Sequence, residues 1–231
     1  MKDAVLLLSS GLDSAANLAL GPAHGFRVRS ALTIDYGQRG ASRELAQASR
    51  LADHFQIEHV TFDLRHFNML SGKGSALFGG QDVPVPSSLD DLGVATKTAA
   101  AVWVPNRNGV MLSLAAAMAE ARGQKAVAVG FNAEEAVTFP DNTIAYMRAM
   151  TASLSFSTAN QVEVVSATAE LTKPQIVRRL AEIEFPFEFL WSCYHAGERH
   201  CGGCESCQRL NRAVTEGLEG SERDRVLARL F

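Results

Sequence analysis

The sequence predicts an α/β fold, a mostly parallel sheet flanked by helices, carrying a small metal-binding region near its C-terminus. Two observations predict it. Short aliphatic runs alternate with stretches of helical period along most of the chain, and all four cysteines fall between Cys193 and Cys207.

The strand runs are Ala4 to Leu8, Ser30 to Ile34, His59 to Phe62, Ala126 to Val129 and Val162 to Val165. Helical spacing separates them: Leu45, Ala48, Ala52 and Phe55 share one face, and Met111, Leu114, Met118 and Ala121 share another. Strands that alternate with such helices build parallel sheets. Between Arg65 and Val102 the periodicity dissolves into Gly72, Gly74, Gly79, Gly80, Pro84 and Pro86. That stretch reads as a long loop, either an active-site lid or a passive surface insertion.

The bulk properties narrow the function. The 231 residues suit one core domain, 1–190, with a C-terminal appendage, 191–231. With 47% hydrophobic and 20% charged residues, a packed core is expected. A net charge of −3 has none of the basic excess that marks non-specific nucleic-acid binding, so a small-molecule substrate is favoured. The first apolar run is only five residues long, too short for a signal-peptide core or a membrane span, and the chain reads as cytoplasmic.

The strongest nucleotide signal is Leu8-Ser9-Ser10-Gly11-Leu12-Asp13-Ser14, set between the first strand and a helical stretch. A helix N-terminus leaves backbone N–H groups unpaired and carries partial positive charge, while glycine and serine let a phosphate come close. Ser9, Gly11 and Ser14 are the expected contacts; the competing reading makes Asp13 or Ser14 an ordinary N-cap. The loop resembles the Ser-Gly-Gly-x-Asp-Ser loop of the ATP-pyrophosphatase superfamily, which splits ATP between its α and β phosphates. Ser10 stands where that pattern has its first glycine, and its side chain is expected to narrow the approach to the pyrophosphate unless its backbone keeps negative φ and its hydroxyl joins in binding.

Cys193, Cys201, Cys204 and Cys207 are spaced C-x7-C-x2-C-x2-C. In a reducing compartment such thiols serve a metal rather than disulfides. Four thiolates with no open position suit structural zinc; an iron–sulfur cluster is the rival reading. His195 and His200 read as neighbours of a complete four-sulfur set.

Further blocks follow in order: Asp35-Tyr36-Gly37-Gln38-Arg39, Val104-Pro105-Asn106-Arg107-Asn108, Phe139-Pro140-Asp141, Leu171-Thr172-Lys173 and Ser192-Cys193-Tyr194. Together with the glycine loop and the cysteines they resemble the 7-cyano-7-deazaguanine synthase family over nearly the whole chain. The resemblance implies a Rossmann-like, adenine-nucleotide α-hydrolase-like fold, a homodimer and zinc on the four cysteines. It further implies conversion of 7-carboxy-7-deazaguanine with ATP and ammonia, through an acyl-adenylate and an amide, to the nitrile, with Mg2+ offsetting phosphate charge.

Site roles follow by residue. Leu8 to Ser14, Asp35, Gln38 and Arg39 are expected to bind nucleotide, the last three because open α/β sheets place ligands beyond strand ends. Arg107, Lys173 and Asp141 are the candidate catalytic residues. Arg107 can pair bidentately with phosphate or carboxylate. Thr172 and Gln175 read as a capping box, which leaves Lys173 in a first turn where a cation opposes the helix dipole unless an anion compensates. A bound phosphate is the expected compensating anion.

The chain departs from the family pattern at Asn106, Glu135, Val137, Thr138, Phe139, Asn142 and Thr143, where the family ordinarily has Gly, Asp, Ser-Gly, Tyr and Cys-Arg. Two readings stay open beside nitrile formation: a paralogue that activates another acid, and a zinc-knuckle nucleic-acid binder on an inactive nucleotide fold, which the charge disfavours.

Overall fold

A computed structural model of the chain describes residues 1–71, 74–79, 82–89 and 91–231. In chain order the elements are β1 (Lys2–Leu7), α1 (Leu12–Leu20), β2 (Phe26–Asp35), α2 (Ala41–His54), β3 (Glu58–Asp63), α3 (Phe67–Ser71), α4 (Leu92–Val102), α5 (Arg107–Ala121), β4 (Ala126–Ala128), α6 (Ile144–Ser157), β5 (Glu163–Val165), α7 (Lys173–Ala181), α8 (Glu205–Gly217) and α9 (Gly220–Leu230). Each aliphatic run singled out in the sequence is a strand. All pair in parallel, in the order β3-β2-β1-β4-β5.

Side chains alternate across a strand, and both faces of this sheet are covered. Ala4 and Leu6 of β1 pack in one cluster with Leu12, Ala15 and Ala16 of α1, Ile176 and Leu180 of α7, and Leu210 and Val214 of α8. Val5 points the other way, into a cluster with Leu112, Ala115 and Ala119 of α5 and Leu154 of α6. The small residues of β1 and β4 on the first face, Ala4, Ala126 and Ala128, let α1 lie close. Val226 and Leu230 of α9 join that same core.

Two expectations about local structure need correction. The stretch 65–102 is not a continuous loop: it holds α3, a 3-10 turn at Ala76–Phe78 and the eleven-residue α4. Gly72 and Gly80 lie outside the described residues. Gly93 and the β-branched Val94, Thr96, Thr98 and Val102 weaken the helical signal of α4, and Asp91 caps it, accepting from the backbone N–H of Gly93 and Val94. On α5 the residues against the sheet are Leu112, Ala115, Ala116 and Ala119, while Met111, Leu114 and Met118 flank them half-buried. The alanines win that position because a small residue lets the helix backbone approach the strands, and the longer side chains fill its margins.

The order places a topological switch point between β1 and β4. The chain steps outward from β1 through β2 to β3, then crosses back to lay β4 on the other side of β1. Ligands of open parallel sheets bind in the crevice beyond the strand ends at such a point. The loops after β1 and β4 meet tightly there: a Cβ on Gly130 would fall 2.3 Å from the Ser14 backbone nitrogen, so only glycine fits.

Candidate active site

A cleft of about 300 Å³ opens at the switch point. Its floor is the loop from Leu8 to Ser14. Ser9 and Ser14 hydroxyls lie 3.1 Å apart, and Ser14 Oγ donates to the Gly11 carbonyl at 3.1 Å. The N-cap of α1 is Gly11, and no side chain caps the helix. Asp13 and Ser14 sit inside its first turn, so the N-cap reading of either residue does not hold. The open N–H groups and positive dipole end of α1 face the cleft, a geometry that attracts anions.

Ser10 departs from expectation. Its φ is +59°, the left-handed conformation that the family glycine adopts freely. The side chain turns inward, fully buried, donating to the Ser9 carbonyl at 2.5 Å and lying 3.3 Å from the Glu44 carbonyl. It does not line the cleft. The substituted side chain therefore neither narrows the phosphate approach nor offers its hydroxyl there. Asn106 is a parallel case: at φ +53° it precedes α5 in the left-handed region, which asparagine tolerates better than most residues.

Opposite the loop, Lys173 opens α7 behind the Thr172–Gln175 capping box, which is present as predicted. Its Nζ lies 2.5 Å from Asp13 Oδ2 and 2.9 Å from Glu135 Oε1. The compensating negative charge at that position comes from these two carboxylates, where the sequence led to the expectation of a phosphate. Burial favours neutral Lys173, but the two anions outweigh it and hold its pKa above the usual lysine range. Burial pushes Asp13 up to about 6 against the pull of Lys173. Burial would also raise Glu135, yet Lys173 beside it keeps that carboxyl below its ordinary value. Asp13 Oδ1 is buried without a hydrogen-bond partner.

On the β2 side, Gln38 is buried, accepting from the Tyr36 backbone N–H at 2.9 Å and donating to Glu44 Oε2 at 2.9 Å. Arg39 donates through its backbone to Leu77 and through Nε to the Ala76 carbonyl, each at 2.9 Å, fastening the 76–78 turn to the rim. Arg107, at the start of α5, donates to the Tyr36 hydroxyl at 3.2 Å and stands over the same ring. These three line the cleft. Asp35 does not; its Oδ1 accepts from Gly37 N–H and shapes the turn. Asp141 lies outside the lining as well, half-buried, with its carboxyl raised by burial.

Sequence reasoning missed Glu44 and Trp191, which line the cleft together with Tyr194 of the Ser192-Cys193-Tyr194 block. Trp191 directly precedes that block, whereas a first-turn glutamate on a half-exposed helix carries no distinguishing signal. Of the positions that depart from the family pattern, Glu135, Phe139 and Asn142 face the cleft. Val137 is exposed, and Thr143 caps α6 by accepting from Tyr146 N–H at 3.1 Å.

Beyond Trp191 the four cysteine sulfurs lie within 4.8 Å of one another. Cys201 Sγ and Cys207 Sγ are 3.9 Å apart. Zinc–sulfur bonds of ~2.3 Å in a tetrahedron place sulfurs ~3.8 Å apart, so the arrangement fits zinc. Cys193, Cys204 and Cys207 are buried and Cys201 is exposed. His200 is held otherwise: Nε2 accepts from Ser192 N–H at 3.1 Å, which leaves Nδ1 to donate to the Leu230 carbonyl at 2.8 Å. The knuckle is tied to the α4 segment. Glu205 accepts from Thr98 Oγ1 at 3.0 Å, its N–H donates to the Pro84 carbonyl at 3.3 Å, and Val83 packs among the cysteines.

Residues 3–217 match the family model described as queuosine biosynthesis protein QueC. Proteins named 7-cyano-7-deazaguanine synthase from Bdellovibrio bacteriovorus and Methanosarcina barkeri are each 46% identical, over 92% and 91% of this chain and 92% of each relative. One from Carboxydothermus hydrogenoformans is 40% identical over 92% of this chain and 98% of its own. Among solved structures, NMN synthetase from Francisella tularensis aligns with a TM-score of 0.49 at 15% identity, covering 99% of this chain and 81% of that one. No helix among the described residues is long and apolar enough to cross a membrane.

Proposed function

The chain belongs to the queuosine biosynthesis protein QueC family, and from that footing we propose that it converts 7-carboxy-7-deazaguanine and ammonia to 7-cyano-7-deazaguanine, using ATP and releasing AMP and pyrophosphate. The observation that carries this reading is the meeting, in one cleft, of the uncapped N-terminus of α1 with the Lys173–Asp13–Glu135 cluster. The first binds the leaving pyrophosphate. The second sets a cation where negative charge builds up as the α-phosphate is attacked.

The substrate carboxylate attacks the α-phosphorus, and Ser9, Gly11 and Ser14 hold the departing phosphates through backbone and hydroxyl donors. Arg107, already aligned by Tyr36, offers its guanidinium fork to a phosphate or to the substrate carboxylate. Gln38 and Arg39 close the β2 side. Asp35 shapes the turn that presents them, and Asp141 acts on Arg107 through its charge.

Asp13 Oδ1, a buried carboxylate oxygen without a partner, is the atom suited to hold Mg2+, whose charge offsets that of the phosphates. Zinc on the four cysteines is structural, with no ligand position left open. The remaining parts of the reading are a cytoplasmic homodimer, ammonia as nitrogen source and no nucleic-acid partner.

The test is to incubate the zinc-loaded protein with ATP, Mg2+, ammonium and 7-carboxy-7-deazaguanine, following AMP, pyrophosphate and the mass of the heterocycle. Nitrile with two AMP per turnover is the expected result. AMP release without change in the heterocycle would leave adenylation standing and assign another acid. Sedimentation of the same sample checks the dimer.

A further inference from the structure

Resting on that reading, nitrile formation requires a proton acceptor that the phosphate-binding residues do not supply. When ammonia displaces AMP from the acyl-adenylate, a C–N bond forms, the acyl C–O bond to AMP breaks, and nitrogen sheds one proton as it becomes the amide NH2. When the amide oxygen is adenylated and leaves with the second AMP, the C≡N bond forms and nitrogen sheds its remaining two. Each C–N step thus needs a base within reach of the carbon being transformed.

Among the described residues that line the cleft there is no histidine, and the carboxylates are Asp13, Glu44 and Glu135. Asp13 and Glu135 are both engaged by Lys173. Glu44 differs. It stands in the first turn of α2, and its Oε2 accepts from Gln38 Nε2 at 2.9 Å. Gln38 is itself pinned to backbone, accepting from Tyr36 N–H and lying 3.3 Å from the Ile34 carbonyl it donates to. The carboxylate is thereby held through Oε2, with Oε1 beside Gly40, which lines the cleft together with Glu44.

We propose that Glu44 is the proton acceptor of the C–N bond-forming steps, its carboxylate taking one proton at a time from nitrogen, once as the amide forms and twice as the nitrile forms, and passing each to water before the next. The electrostatics suit that role. Burial pushes the carboxyl up to about 7, Gln38 and the Arg107 guanidinium pull it down, and Asp35 raises it. A base with a pKa near the working pH combines adequate ionisation with adequate basicity.

The experiment separates the steps. Pyrophosphate exchange into ATP, dependent on 7-carboxy-7-deazaguanine, needs no nitrogen; nitrile formation does. Glu44→Gln, which keeps the bond to Gln38, should retain exchange while nitrile formation slows on the order of 10²-fold. The acidic limb of the wild-type rate profile near pH 7 should disappear with it. Glu44→Ala should recover nitrile formation when formate is added, a rescue that a purely structural role would not produce. Thermal melting and zinc content of both variants confirm folding. Nitrile formation at the wild-type rate in Glu44→Gln, or an equal fall in exchange and nitrile formation, overturns the proposal. A wild-type protein that shows no exchange defeats the substrate reading and this proposal with it.

Discussion

Lys173 Nζ lies 2.5 Å from Asp13 Oδ2, joining residues 160 positions apart in the sequence. The first turn of α7 is thereby locked to the first turn of α1 across the nucleotide cleft. Replacing Lys173 with Met leaves Asp13 and Glu135 as buried carboxylates with no cation between them. Removing one partner of a buried pair costs about 3–5 kcal/mol, and that loss is expected in urea melts at neutral pH, together with loss of adenylation. Without the lysine both carboxyls titrate above their unfolded values. The deficit should therefore shrink as pH falls and the carboxyls become protonated in both states.

The serines of the nucleotide loop should separate in kinetics. Ser10 points away from the cleft, so Ser10→Gly should leave the KM for ATP unchanged. Its stability should stay within about 1 kcal/mol of wild type, because relief of the left-handed backbone offsets a lost hydrogen bond and the entropy of glycine. Ser9→Ala removes a hydroxyl of a residue that lines the cleft, and on the proposed function it should raise the KM for ATP roughly tenfold.

Removing zinc should loosen more than the knuckle. Thr98, Pro84 and Val83 are fastened to Glu205 and the cysteine cluster, so Cys204→Ser should free the α4 segment as well. The expected result is loss of bound zinc by elemental analysis and a Tm drop on the order of 10 °C. Early proteolytic cleavage between residues 82 and 91 should accompany it.

The buried carboxyl of Glu44 gives a pH signature in stability. Its folded pKa of about 7 lies above the ordinary 4.5. The stability it contributes is fully present below 4.5 and is lost as pH rises through 7. Glu44→Gln should match wild type near pH 4 and melt a few degrees higher at pH 8, as differential scanning calorimetry across that range will show.

The sequence by itself determined the strands, the serine–glycine loop after β1, the Thr172–Gln175 box and the four-cysteine cluster that could hold a metal ion. Each of these is set by short-range chemistry: short continuous aliphatic runs, the needs of a helix end, and the spacing of soft ligands. The tertiary structure alone decided how their side chains are used. Lys173 pairs with Asp13 and Glu135 because β1 and β4 are neighbours, a pairing no local pattern encodes. Ser10 turns inward because α2 offers it a carbonyl, and α4 holds its helix against weak propensity because Glu205, beside the cysteine cluster, anchors Thr98. Glu44 became part of the site for the same reason. Burial beside Gln38 and Arg107, partners brought together by the parallel sheet, makes a titrating group of a residue that in the sequence is one more surface glutamate.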